Sequence, residues 1–317
     1  MAERAVAPAP ADVLSEISAN LGRVIHAREE TLRFVVLCLV AEGHALVEDF
    51  PGVGKTMLAK ALARSLDCGF ARLQFTPDLL PSDVTGVNVF NQQRNEFEFR
   101  PGPVFTNLLL VDEVNRASPK TQAALLECME ERQVTVDGVT HRLGPPFMVM
   151  ATQNPIEYEG TYPLPEAQLD RFTLRLSLGY PPLADEARML EEQTSEPPLD
   201  SLPAVADADA VLRLVEAARG IYVEESLGRY VVALLRQTRT DSRLYLGASP
   251  RAGIALLRVA KALALAEGRD FVVPDDVKEV AAPVLAHRLI LAPEARSAGL
   301  GAAELVADAV ARTPVPV

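Results

Sequence analysis

Lys55 and Thr56 close the run Asp49-Phe50-Pro51-Gly52-Val53-Gly54-Lys55-Thr56-Met57, in which glycines precede a lysine and a hydroxyl. Those residue types in that order suit a polyphosphate. Glycines let backbone N–H groups close around phosphate oxygens, the lysine reaches the β- and γ-phosphates, and the next hydroxyl holds Mg²⁺. Pro51, Gly52, Val53, Gly54, Lys55, Thr56 and Met57 are therefore the candidate nucleotide contacts. One position departs from the usual pattern: Asp49 stands where such a loop normally begins with glycine.

Two carboxylates complete this chemistry. Leu108-Leu109-Leu110-Val111-Asp112-Glu113 is an apolar run ending in acids, the pattern of a buried parallel strand whose carboxyl end faces the ligand crevice of an open α/β sheet. Asp112 would join Thr56 in the Mg²⁺ shell, and Glu113 would polarise the water that attacks the γ-phosphate. Asn154 follows another apolar strand, Phe147 to Thr152. Its amide can orient that water or touch the γ-phosphate, or serve as a turn residue before Pro155. Arg171 sits at a turn before the segment Phe172 to Leu178. Its guanidinium suits either a surface ion pair or an arginine finger for a neighbouring subunit's γ-phosphate. Ser249-Pro250 starts a helix and puts Arg251 in its first turn, a poor place for a cation unless an anion lies opposite.

These groups need a scaffold of strands alternating with helices. Ala45 to Val47 reads as a buried strand, and Met57, Leu58, Ala61, Leu62 and Leu66 then recur at helical spacing. Phe70 to Phe75 is a further strand. Helices are expected from Asp12, over Glu29 to Ala41, and over Ser118 to Arg132 with a cap near Ser118. Gly86 to Arg100 reads as an inserted hairpin with exposed aromatics. Gln133 to Leu143 alternates around Asp137-Gly138, a strong hairpin signal. Beyond Tyr180-Pro181-Pro182 the pattern is helical throughout, over Asp185 to Gln193, Ala206 to Gly220, Glu224 to Thr238, Ser249 to Glu267 and Pro274 to Leu289. The expected organisation is a loose Ala/Pro-rich arm over 1–12, an α/β core over 13–180 and an all-α domain over 181–317.

Composition narrows the class. With 49% hydrophobic and 23% charged residues in 317, the chain is globular rather than disordered. A formal net charge of -12 disfavours binding nucleic acid by bulk electrostatics. Cys38, Cys68 and Cys128 are far apart among apolar neighbours, so neither a disulfide framework nor metal-ligand spacing is present, and a reducing cytoplasm is expected. The four histidines are scattered and read as structural. The apolar run Phe34 to Ala41 is too short to span a bilayer, so no membrane insertion is expected.

Taken together, Glu48 to Thr56, Leu110 to Arg116, Ala151 to Pro155, Leu169 to Phe172 and Gly247 to Arg251 resemble an AAA+ ATPase of the MoxR family, over nearly the full chain. The family often carries an acid at the position of Asp49, whereas His26-Ala27 stand where it has Gly-Gln. The resemblance implies a P-loop core with a five-stranded parallel sheet and inserted hairpins, followed by a helical lid. It implies ATP and Mg²⁺ as ligands, Lys55 and Thr56 as the Walker A pair, and Asp112 and Glu113 as the Walker B pair. Asn154 would be sensor 1, Arg171 the arginine finger and Arg251 sensor 2. It further implies a homo-oligomeric ring, a hexamer, that matures or activates client proteins, often with a partner bearing a von Willebrand factor A-like domain. The competing readings are a motor on nucleic acid, a metal-chelatase subunit on the same ring, and a nucleotide-gated scaffold with little turnover. The low charge balance counts against the motor, and Glu113 with Asn154 and Arg171 counts against the scaffold.

Overall fold

A computed structural model describes residues 8–155, 160–180, 186 and 199–316. The chain opens with two helices, α1 (Pro10–Gly22) and α2 (Glu29–Val40), then enters β1 (Ala45–Glu48) and α3 (Lys55–Ser65). β2 (Phe70–Gln74), α4 (Pro81–Thr85), the hairpin β3 (Gly86–Asn91) and β4 (Glu96–Pro101), and β5 (Leu108–Asp112) follow. Next come α5 (Pro119–Glu131), the hairpin β6 (Gln133–Val136) and β7 (Val139–Arg142), β8 (Met148–Gln153), α6 (Glu166–Leu169) and β9 (Leu174–Leu176). The C-terminal region holds α7 (Ala208–Gly220), α8 (Glu225–Thr240), β10 (Leu244–Leu246), α9 (Pro250–Ala266) and α10 (Pro274–Leu285). It ends with β11 (Ile290–Leu291), α11 (Pro293–Ser297) and α12 (Ala302–Arg312).

The central sheet is five-stranded in the order β2-β5-β8-β1-β9, and every pairing in it is parallel. Alternation along each strand sends side chains to two cores. Ala45, Val47, Leu108, Leu110, Met148 and Met150 face α1, α2, α3 and the C-terminal helices. Leu46, Leu109, Val111, Val149 and Ala151 face α5, with Phe75 and Phe172 fully buried among them. The first core continues without a break into α7, α8, α9 and α10. Because all five strands run the same way, the turns after β1, β5 and β8 meet at one edge of the sheet.

Both expected hairpins form. At the second, Asp137 and Gly138 take positive φ of 49° and 81°, the twist a two-residue hairpin loop requires. The hairpins touch one another: Asn88 Nδ2 donates to Asp137 Oδ2 at 2.7 Å, and Phe99 stacks on His141 with ring centroids 3.9 Å apart.

Several boundaries differ from expectation. The first helix starts at Pro10, two residues before the expected start at Asp12, because proline is pre-set for a first helical turn. Residues 1–7 and, apart from residue 186, the expected helix over 185–193 lie outside the described residues. The C-terminal region is helical as expected, with one addition, an antiparallel ribbon of β10 and β11. α10 ends at Leu285, and a tight turn through Arg288 leads into that ribbon. Arg288 turns inward there: its Nε pairs with Asp170 Oδ1 at 2.7 Å, and its Nη2 donates to Phe172 O at 2.8 Å. No helix among the described residues is long and apolar enough to cross a membrane.

His44, just before β1, ties three elements. Its Nδ1 accepts from Val149 N at 2.9 Å, so Nε2 carries the proton and donates to Met129 O at 3.0 Å. Burial, reinforced by the nearby Arg132 charge, lowers its pKa from 6.5 to about 3. The unfolded chain therefore binds a proton that the folded one rejects, and stability present above pH 6.5 is lost as pH falls toward 3. At pH 5 the loss from this group is about 2 kcal/mol. Buried His287, also held well below its ordinary value, acts in the same direction. Thermal melts should show a falling midpoint from pH 7 to pH 5, with a shallower slope in His44→Gln, which keeps a donor and an acceptor.

Candidate active site

The cradle forms as the residue types require. Gly52 and Gly54 take φ of 85° and 92°, and a Cβ on either would meet nothing within 4 Å, so it is the left-handed backbone and not crowding that asks for glycine there. Gly54 caps α3 with no side-chain hydrogen bond to the helix. The first N–H groups of α3 thus receive no side-chain cap, and the helix dipole adds partial positive charge to the same point. Lys55 Nζ folds back onto Asp49 O at 2.6 Å, ready to swing toward an anion.

Asp49 is a structural anchor. Its Oδ2 accepts from Leu178 N, from Gly179 N at 3.0 Å and from Ser177 Oγ at 3.1 Å. Its own N–H donates to Gln153 O at 3.2 Å. The carboxylate, 4% exposed, therefore pins the start of the loop to the exit of β9, where a glycine could do nothing. Phe50 extends the junction by stacking on Tyr180 with centroids 5.9 Å apart. Asp49→Ala leaves backbone donors buried without a partner, and should destabilise by about 1–3 kcal/mol. The same variant should weaken nucleotide binding, seen by calorimetric titration beside the melting curve.

The acids stand one strand from the cradle's own neighbour, since β8 separates β1 from β5. Asp112 Oδ2 pairs with Arg72 Nε at 2.6 Å, and its Oδ1 accepts from Thr152 Oγ1 at 3.3 Å. Glu113 adopts a left-handed backbone, φ 56° and ψ 55°, a conformation that costs a non-glycine residue about 1 kcal/mol or more and gathers at functional sites. Thr152 Oγ1 accepts the Glu113 N–H at 3.0 Å, so one hydroxyl fixes both acids. The Glu113 Oε2 receives Gln74 Nε2 at 2.9 Å and lies 2.9 Å from Arg116 Nε. Asn154 is buried at the end of β8, between the acids and the cradle. Thr56 and Asp112 supply a hydroxyl and a carboxylate oxygen, the hard donors a Mg²⁺ ion takes, so the residues fit that ion and a triphosphate.

Arg171 and Arg251 lie elsewhere. Arg171 Nη1 pairs with Glu130 Oε2 at 2.6 Å and donates to Leu126 O at 2.8 Å. Arg251 Nη2 pairs with the other oxygen, Glu130 Oε1, at 2.9 Å. The anion opposite the first turn of α9 is thus a carboxylate of the same chain. Nearby, Ser249 Oγ donates to Asp170 Oδ2 at 3.2 Å. Met129 and Thr173, which flank this cluster in sequence, both bond His44 at the entry of β1. The cradle begins at the strand's other end, about 13 Å away for a 4-residue strand. Arg171 and Arg251 therefore share one face of the chain, removed from its own cradle.

The turn Gly22 to His26 borders a cavity of about 590 Å³ between α1, α2 and the end of α9. Ile25 there is buried in the core, and Val24 packs against it.

Two family models match this arrangement, the ATPase family associated with various cellular activities over residues 44–174 and the AAA lid domain over 236–309. Chaperone MoxR1 of Mycobacterium tuberculosis is 43% identical over 86% of this chain and 74% of its own. Protein MoxR of Paracoccus denitrificans is 31% identical over 95% and 96%. The chain belongs to the MoxR family of AAA+ ATPases. YeaC of Bacillus subtilis, 47% identical over 96% of this chain and 95% of its own, is a still nearer relative. A crystal structure of a candidate ATPase from Cytophaga hutchinsonii superposes on 97% of the chain with a TM-score of 0.90 at 38% identity. As a MoxR-family protein it is an ATP hydrolase, built from an AAA core and a lid.

Arg72, Gln74, Thr152 and Glu130 carry no sequence signal of their own. They matter through β2–β5 and β5–β8 adjacency and the placing of α5, which only the assembled sheet reveals.

Proposed function

We propose that this chain hydrolyses ATP in a homo-oligomeric ring, each site being completed by the arginines of the next subunit, and uses the cycle to remodel protein clients in the cytoplasm. The observation that carries the reading is the separation within one chain of cradle and acids from Arg171 and Arg251. A site without an arginine at one end of the sheet and two arginines sharing one acid at the other suit copies arranged head to tail, which close into a ring. A hexamer is the expected closure, and a partner with a von Willebrand factor A-like domain is a candidate client. The name of the mycobacterial relative, a chaperone, supports protein clients over other substrates.

The placement supports a role for each residue. Backbone donors of Gly52 to Thr56 and the Lys55 ammonium hold the β- and γ-phosphates. Thr56 and Asp112 would hold Mg²⁺, which would supply positive charge to offset that of the phosphates. Glu113 accepts a proton from the water whose oxygen attacks the γ-phosphorus as the bond to the β-phosphate oxygen breaks. Asn154 orients that water. Arg171 and Arg251, from the neighbour, stabilise charge on the transferring group. Before nucleotide arrives, Gln74 and Arg116 hold Glu113, and Arg72 holds Asp112.

The test is steady-state ATPase activity across protein concentration, with light scattering on the same samples. Specific activity should rise as an ATP-stabilised oligomer appears. A flat rate from a monomer would remove the shared site.

A further inference from the structure

We propose that Glu130 is a positioning residue that holds Arg171 and Arg251 as a pair, so that both guanidinium groups meet the same γ-phosphate of the neighbouring subunit. The inference rests on the shared-site reading above and adds to it a residue and a division of labour. Glu130 closes the last turn of α5, and its two carboxylate oxygens divide between the arginines, Oε2 to Arg171 at 2.6 Å and Oε1 to Arg251 at 2.9 Å. Arg171 belongs to the core and Arg251 to the first turn of the lid helix α9. One carboxylate therefore sets the spacing of cations from two domains.

Three further observations favour a pairing role over ordinary surface charge. Two guanidinium groups converging on one point repel each other, and a shared anion is what lets them stand together. An exposed ion pair adds little stability, yet here two arginines, 30% and 45% exposed, are spent on one acid 34% exposed. Finally, the hydrogen bond of Arg171 to Leu126 O and its shortest contact with Glu130 are both made by Nη1, and among the described residues no hydrogen bond engages its Nε or Nη2. The fork can keep its hold on Glu130 while its other nitrogens serve an outside anion. Asp170, bound to Ser249 and Arg288, fixes the same core–lid contact from beside Arg171. Lid and core thus present the pair as one unit.

The test uses the full chain at concentrations where the oligomer forms. Glu130→Ala should lower kcat about 10- to 100-fold, the scale of misplaced catalytic groups, while KM for ATP, set by the subunit's own cradle, stays nearly unchanged. Glu130→Gln, which keeps an acceptor for one arginine only, should fall between Glu130→Ala and wild type. Mixed with Glu113→Gln subunits, Glu130→Ala subunits should regain turnover, because their own cradle and acids are intact and receive a correct pair from the neighbour. Wild-type kcat in Glu130→Ala, or a raised one that would make Glu130 a brake, overturns the proposal. So does a slow Glu130→Ala that no mixing rescues while Arg171→Ala is rescued under the same conditions, since Glu130 would then act inside its own subunit. Failure of both mixtures would sink the shared site itself, and the proposal with it. Melting midpoints near wild type for both variants separate these outcomes from loss of fold.

Discussion

Glu113→Gln should bind ATP with near wild-type affinity and lower turnover by about 10²- to 10⁴-fold, the usual contribution of a placed general base. The amide keeps the shape of the side chain and an oxygen that accepts from Gln74, so the fold and the cradle survive. What disappears is the charge able to take the water's proton. Thr152 continues to hold the backbone N–H at 3.0 Å, and the left-handed geometry of residue 113 is unaffected by the change. Bound nucleotide should persist, and the oligomer with it. Single-turnover hydrolysis beside equilibrium binding separates the effects; turnover near wild type would take Glu113 out of the mechanism.

Arg171→Ala has the larger expected effect, about 10³- to 10⁵-fold in kcat, the range known for arginine fingers. Its own cradle begins beyond the far end of the 4-residue β1, so nucleotide binding to a dilute, unassembled chain should not change. Glu130 keeps its Oε1 contact with Arg251 at 2.9 Å in this variant, and Ser249 still bonds Asp170 at 3.2 Å. The lid therefore stays docked, and the defect is confined to the face the subunit offers its neighbour. Binding by fluorescent nucleotide at low protein concentration and turnover at high concentration read the two halves of this prediction.

Much of the candidate site was legible from residue types alone. Gly52, Gly54, Lys55 and Thr56 specify a cradle because only glycine takes φ near +90° without strain there, and an apolar strand ending in Asp112-Glu113 has few other uses beside one. Asn154 is a candidate by the same logic of strand ends, and the parallel sheet puts all three turns at one end of its strands. Arg251 illustrates where local reading stops. A cation in a first helical turn signals an anion opposite, but whether that anion is a phosphate or Glu130 depends on α5, far away in sequence. Asp49 is similar: the loop position marks it as unusual, while its partners Ser177, Leu178 and Gly179 lie across the sheet. Gln74 and Arg72 sit on a strand whose register with β5 pairs Gln74 with Asp112, and no local pattern encodes that register.

The central claim is that each site draws on two subunits, and mixing two inactive variants tests it most directly. Glu113→Gln supplies a sound Arg171 and Arg251 but no base; Arg171→Ala supplies a sound cradle and Glu113 but no finger. Titrated against each other at constant total protein, they should regain ATPase activity, with a maximum at intermediate ratios. Activity no greater than the sum of the two alone, at every ratio and with co-assembly verified by light scattering, would contradict the shared site.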